Sequence, residues 1–161
     1  MIKKELLKAI NEQINFEYES AFIYRKMAIE LETQAWTGFA HWFAAQFHEE
    51  MAHAEEMLRY VLERGERPEL KDIKMNDVKL ETLVDYFDLA YKHECKVSER
   101  INDIVAMAIE QKDYATENFF RKYVNEQVEE EATTSGILDR LKLVSSNAGY
   151  MIMDRELGAR K

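Results

Sequence analysis

The stretch AAQFHEEMAHAEEM, residues 44–57, decides how this chain is read. It holds no glycine or proline and has the composition of a helix. Yet Glu50 and His53 fall three residues apart, on the side where an amphipathic helix carries its apolar stripe. A carboxylate in a core must be neutralised or paired, so the question is whether the rest of the chain repeats the anomaly.

It does, on four long helical stretches. The first carries Leu7, Ile10, Ile14, Glu17, Ala21, Tyr24, Ala28 and Leu31 on one face, and Glu17 breaks the apolar run. The second places Trp36, Ala40, Phe43, Phe47, Glu50, Ala54, Met57 and Val61 on one face, with Glu50 the break and His53 beside it. The third aligns Leu80, Val84, Phe87, Tyr91, Glu94, Val97, Ile101, Val105 and Ala108, and Glu94 is the exception. The fourth aligns Phe120, Tyr123, Gln127, Glu130, Thr134, Ile137, Leu141 and Val144, broken by Gln127 and Glu130. The spacing predicts helices over about 3–32, 36–64, 80–111 and 114–145, and a short one over about 149–158, in one domain spanning 1–161.

The connections set the topology. The joints near Thr33–Trp36 and Lys112–Asp113 are short, so each helix pair is expected to be an antiparallel hairpin. Gly65 suits the end of the second helix, and Pro68 follows it. The polar stretch 66–79 can span roughly 45–50 Å when extended, about the length of a 30-residue helix. The expected fold is all-α: a four-helix bundle with one long crossover between helices two and three, and a short fifth helix.

Composition narrows the function. The net charge is −9, from 31 acidic against 22 basic residues, which argues against nucleic acid as a partner and suits cationic substrates. The one cysteine, Cys95, can make no intrachain disulfide, which fits a reducing compartment. The N-terminus turns polar too early for a signal peptide, and no apolar run reaches the roughly 20 residues that span a bilayer. These features lead us to expect a cytoplasmic protein with no membrane partner.

In antiparallel hairpins the mid-helix acids Glu17, Glu50, Glu94 and Glu130 meet at one height with His53. No Lys or Arg lies on the stripes at that level. Burying unpaired carboxylates costs several kcal/mol each even after relaxation, so cations are the expected partners, and two divalent ions would balance the charge. Oxygen ligands with one imidazole suit iron, manganese or zinc. Ferritin-like dimetal carboxylate bundles have this pattern, with one Glu from each of two helices and Glu-x-x-His from each of two others. Here helix four offers Gln127-x-x-Glu130 instead, so the two metal positions are expected to differ.

At these residues the chain resembles the non-haem ferritins of bacteria and archaea along nearly its whole length. The motifs that carry the resemblance are NEQINFEYESAFIY (11–24), HEEMAH (48–53), YKHE (91–94) and NEQVEEE (125–131). The resemblance implies a cage of 24 subunits that oxidises ferrous iron with dioxygen or peroxide and stores a hydrous ferric oxide core. It implies Glu17, Glu50 and His53 around a first iron, with Glu50 bridging to a second iron held also by Glu94 and Glu130. Gln127 would lie in the shell of the second site. Glu49, Glu126 and Glu129 match a third iron site, and Tyr24 matches a tyrosine beside the centre that can give an electron.

Three alternatives are open on sequence. A bacterioferritin would bind haem through a methionine near Met51, but helix four lacks the second Glu-x-x-His, and haem is not expected. A rubrerythrin-like peroxidase would add a cysteine-rich iron domain, against which the single cysteine argues. A purely structural bundle would leave the buried acids without a purpose.

Overall fold

The computed structural model describes residues 1–75 and 79–160. Five helices appear in chain order: α1 (Lys4–Thr33), α2 (Thr37–Glu63), α3 (Leu83–Glu110), α4 (Tyr114–Leu143) and α5 (Asn147–Leu157). No strand occurs among the described residues. α1 packs on α2 and α3 on α4, the two pairs meet through α1 and α3, and α5 lies against α2.

The helix ends follow local chemistry. α3 begins at Leu83 rather than near Leu80, because Thr82 and Asp85 form a reciprocal capping box there. α4 ends at Leu143 rather than near 145, since Val144 is extended. α5 starts at Asn147 rather than 149, capped by Ser146, whose side chain accepts from Gly149 N. The hairpin joints each turn on a non-glycine residue at positive φ, Ala35 (64°) and Lys112 (57°). Gly65, at φ 76°, ends α2 in the left-handed conformation that glycine adopts without cost.

The crossover is clipped to α1 where it passes. Asn11 Oδ1 accepts from Glu69 N at 3.1 Å, and Asn15 Oδ1 accepts from Lys71 N at 2.6 Å. Asn15 Nδ2 donates to Glu69 O at 2.6 Å. Of the expected linker 66–79, residues 76–78 lie outside the described residues.

The apolar core comes in two halves. One contains Tyr24, Leu31, Phe39, Phe43, Phe87 and Leu141. The other contains Leu6, Ile14, Met57, Val61, Ile101 and Phe120. Between them every long helix contributes buried polar residues: Gln13, Glu17 and Ser20 from α1, Gln46 and Glu50 from α2, Glu94 from α3, and Gln127 and Thr134 from α4. On α2 the buried face is turned slightly from the expected stripe. Trp42 and Gln46 are buried, whereas Trp36 and Phe47 are only partly so. The reason is that α2 buries a wide arc, in which two neighbouring columns of residues alternate.

Candidate metal centre

The candidate metal ligands gather in this polar layer. Glu17, Glu50 and His53 each bring one ligand atom within 4.8 Å of the others. Among the described residues this is the one such group of His, Cys, Asp and Glu. Glu17 and Glu50 are almost fully buried at 1% and 2% exposure. His53 turns Nδ1 toward Glu50 Oε2 at 3.3 Å and Nε2 toward Glu126 Oε2 at 3.4 Å. The edge of its ring meets Tyr123, with centroids 5.3 Å apart.

The other half of the centre is built across α3 and α4. Gln127 Nε2 donates to Glu94 Oε2 at 3.1 Å and to the Glu94 carbonyl at 3.2 Å. Tyr24, wholly buried on α1, donates its phenol proton to Glu94 Oε1. Gln46 of α2 donates from Nε2 to Glu130 Oε2 at 3.1 Å. Glu94 and Glu130 both act electrostatically on Glu50, which ties the two halves together.

The remaining acids are placed differently. Glu49 pairs with Arg160 beyond the end of α5, Oε2 to Nη2 at 2.8 Å. Glu126 approaches His53, and Glu129 is solvent-exposed. These three do not converge on one point in this arrangement.

The electrostatics describe a site short of positive charge. Burial, followed by the Glu50 charge, raises the Glu17 carboxyl well above its usual range. Burial and then Glu94 do the same to Glu50. Glu94 is raised chiefly by burial. Burial and then Glu49 push Glu130 up to about 7. Burial raises the Tyr24 phenol, so it stays protonated as a donor. Glu17 Oε2 and Glu126 Oε2 are buried without a hydrogen-bond partner. Buried orphan carboxylate oxygens beside an imidazole fit a hard divalent cation, which would supply the missing positive charge.

Several residues around the site were not among the expected ones: Gln13, which donates from Nε2 to Glu17 Oε1, Arg100, which donates to Gln13, and Gln46, Tyr123 and Arg160. Gln13 and Gln46 each precede a stripe glutamate by four residues, one helical turn. That spacing was the available signal, but an isolated glutamine reads equally well as surface.

An antiparallel helical bundle with a carboxylate–histidine layer across its middle is the architecture of ferritin-like proteins. The ferritin family, described as a ferritin-like domain, matches residues 7–144. The bacterial non-heme ferritin of Bacteroides fragilis strain 638R is 39% identical over 160 residues, covering 99% of this chain and 100% of the relative. That of Campylobacter jejuni is 35% identical, covering 95% and 92%. Among solved structures, the open-pore ferritin of the archaeon Archaeoglobus fulgidus superposes with a TM-score of 0.96 at 37% identity, covering 99% of this chain and 98% of that one. A humanized archaeal ferritin gives 0.97 at 40% identity, covering 100% and 98%. The chain belongs to the ferritin family.

Proposed function

We propose that this protein is an iron-storage ferroxidase of the bacterial non-haem type. It takes two ferrous ions per chain at the centre, oxidises them with dioxygen or hydrogen peroxide, and holds the product as hydrous ferric oxide inside a cytoplasmic cage of 24 subunits. The observation that carries this reading is the buried Glu17–Glu50–His53 group, with ligand atoms mutually within 4.8 Å, joined electrostatically to Glu94 and Glu130. Family membership and likeness to archaeal ferritin structures support the same reading.

The residues divide the work. Glu17 and His53 hold the first ferrous ion, Glu94 and Glu130 the second, and Glu50 stands between them as the bridge. Carboxylates are hard anionic ligands, so they stabilise ferric over ferrous iron and favour electron loss. Two ions held side by side deliver two electrons together, which reduces dioxygen with two protons to hydrogen peroxide. Gln127 holds Glu94 in place through its amide. Tyr24 is poised on Glu94 as a further electron donor. Glu49, Glu126 and Glu129 form a third iron position once Glu49 leaves Arg160. Haem has no part in this reading.

The test adds two ferrous ions per chain to metal-free protein in air and follows ferric absorbance, with Glu50→Ala as control. Rapid oxidation in the parent and slow oxidation in the variant are expected. Equal slow rates in both would remove the ferroxidase reading.

A further inference from the structure

Glu17 is steered from another helix. Arg100 of α3 donates from Nε to Gln13 Oε1 at 2.7 Å. Gln13, fully buried on α1, donates from Nε2 to Glu17 Oε1 at 2.7 Å. The polarity of this relay is forced. A guanidinium only donates, so the Gln13 atom facing Arg100 must be its carbonyl oxygen. The amide NH2 is then the group that faces Glu17. Without Arg100 the amide is free to turn over and present its oxygen to a carboxylate.

Arg100 is itself held in place. Its guanidinium carbon lies 4.5 Å from the centroid of the Phe16 ring. On Phe16 stacks the His93 ring, centroids 4.9 Å apart. Ser20 spends its hydroxyl proton on the Phe16 carbonyl at 2.7 Å, so His93 Nε2, 2.5 Å from Ser20 Oγ, is the donor in that pair. At the far end of the relay, Glu17 Oε1 is engaged by Gln13 while Oε2 has no partner. One oxygen is taken and the other is left for a cation.

We propose that Arg100 and Gln13 are positioning residues that make Glu17 a one-oxygen ligand, oriented before the ferrous ion arrives. The proposal rests on the metal-centre reading above and refines it. It explains why a fully buried amide sits one helical turn before the glutamate, with its acceptor end covered by a cation that touches none of the proposed ligands.

The test titrates cobalt(II), a divalent ion that dioxygen does not oxidise rapidly in oxygen-ligand sites, into the assembled metal-free protein. Binding is read from the cobalt visible absorption and by calorimetry. The chains compared are the parent, Glu17→Ala, Gln13→Met, Arg100→Met, Arg100→Lys and the Gln13→Met/Arg100→Met double variant. Loss of either relay member should weaken the first cobalt by roughly tenfold, the low end for groups behind a metal ligand. The double variant should bind no more weakly than either single one, because the two act in series. Arg100→Lys should keep most of the affinity, since an ammonium also only donates. Additive losses, or tighter binding in Arg100→Met as expected of a merely repelling cation, would overturn the relay. Should Gln13→Met fail to assemble, the contrast between Arg100→Met and Arg100→Lys decides alone. A parent that binds cobalt no better than Glu17→Ala would overturn the metal-centre reading itself, and the relay with it.

Discussion

Arg160, three residues past the end of α5, places its guanidinium on Glu49 at 2.8 Å while lying over the Trp42 ring at 5.0 Å. A side-chain cation from the C-terminal segment thus occupies a carboxylate proposed as a ligand of a third iron. Glu49 is 39% exposed at its side chain, and a partly exposed ion pair is worth up to about 1 kcal/mol. Arg160→Gln is therefore expected to tighten the third ferrous ion by up to about fivefold and leave the first two unchanged. Anaerobic ferrous titration per chain measures this directly. A third ferrous ion bound more weakly in Arg160→Gln would contradict competition between Arg160 and the ion for Glu49.

Tyr24 joins the two functions a buried tyrosine can have. Its ring packs 5.9 Å from Phe43 while its hydroxyl donates to Glu94. Tyr24→Phe keeps the packing and removes only the donor. Losing a typical hydrogen bond costs about 0.5–1.5 kcal/mol, so the metal-free variant should melt lower. If Tyr24 also gives an electron, freeze-quenched samples of the parent will carry a tyrosyl radical signal that the variant lacks. The same radical in both chains would leave Tyr24 as packing and a hydrogen-bond donor alone.

The level of the centre was legible in the sequence because charge on an apolar stripe is costly enough to be informative. Glu17, Glu50, Glu94 and Glu130 each interrupt a face that is otherwise apolar or nearly so, and the antiparallel hairpins bring those interruptions to one height. The hydrogen-bonded surroundings were not legible. Gln13 and Gln46 are neutral and common on surfaces, so only three-dimensional contact separates a buried amide from an exposed one. Arg100 meets Gln13 across a sequence separation of 87 residues, and helical periodicity carries no information on such a pairing. The apolar stripe extends the expected third helix back to Leu80, which lies in register, whereas the Thr82 capping box starts the helix only at Leu83. The Arg160 contact depends on where the last helix docks, which the pattern of α5 alone does not specify.

The carboxyl layer should make stability fall with pH in the absence of metal. Glu130 titrates near 7 in the folded chain against an ordinary value of 4.5, and burial also raises Glu17, Glu50 and Glu94. The folded chain thus holds more protons than the unfolded chain between these values. The associated stability is fully present below about pH 4.5 and is lost as pH rises through about 7. Metal-free protein is expected to melt lower at pH 8 than at pH 5, by on the order of 5 °C. Glu50→Gln should flatten that slope, and a bound divalent cation should abolish it by replacing the protons. Differential scanning calorimetry at the two pH values checks the sign, and a higher melting temperature at pH 8 without metal would contradict it.

Asp154 gives α2 the cap that its own sequence lacks. Trp36 occupies the N-cap position and has no side-chain oxygen to offer. Asp154 of α5 instead accepts from Gly38 N and Phe39 N, each at 2.9 Å. A charged acceptor there also meets the positive end of the helix dipole. The approach is close enough that a Cβ on residue 38 would lie 1.6 Å from the Asp154 carbonyl oxygen, so glycine is required for the contact. Losing an N-cap costs about 1 kcal/mol. Asp154→Ala should thus lower stability by about that amount and also loosen α5, which this contact joins to α2 alongside the burial of Met153 and the packing of Tyr150 on Trp36. Because Arg160 follows α5, loosening it should free Glu49 as well. Asp154→Ala and Gly38→Ala are therefore expected to share the third-ion phenotype of Arg160→Gln, with faster hydrogen exchange confined to α5 and the first turn of α2. A third ferrous affinity unchanged in both, despite the faster exchange, would show that the Arg160 contact survives without a docked α5.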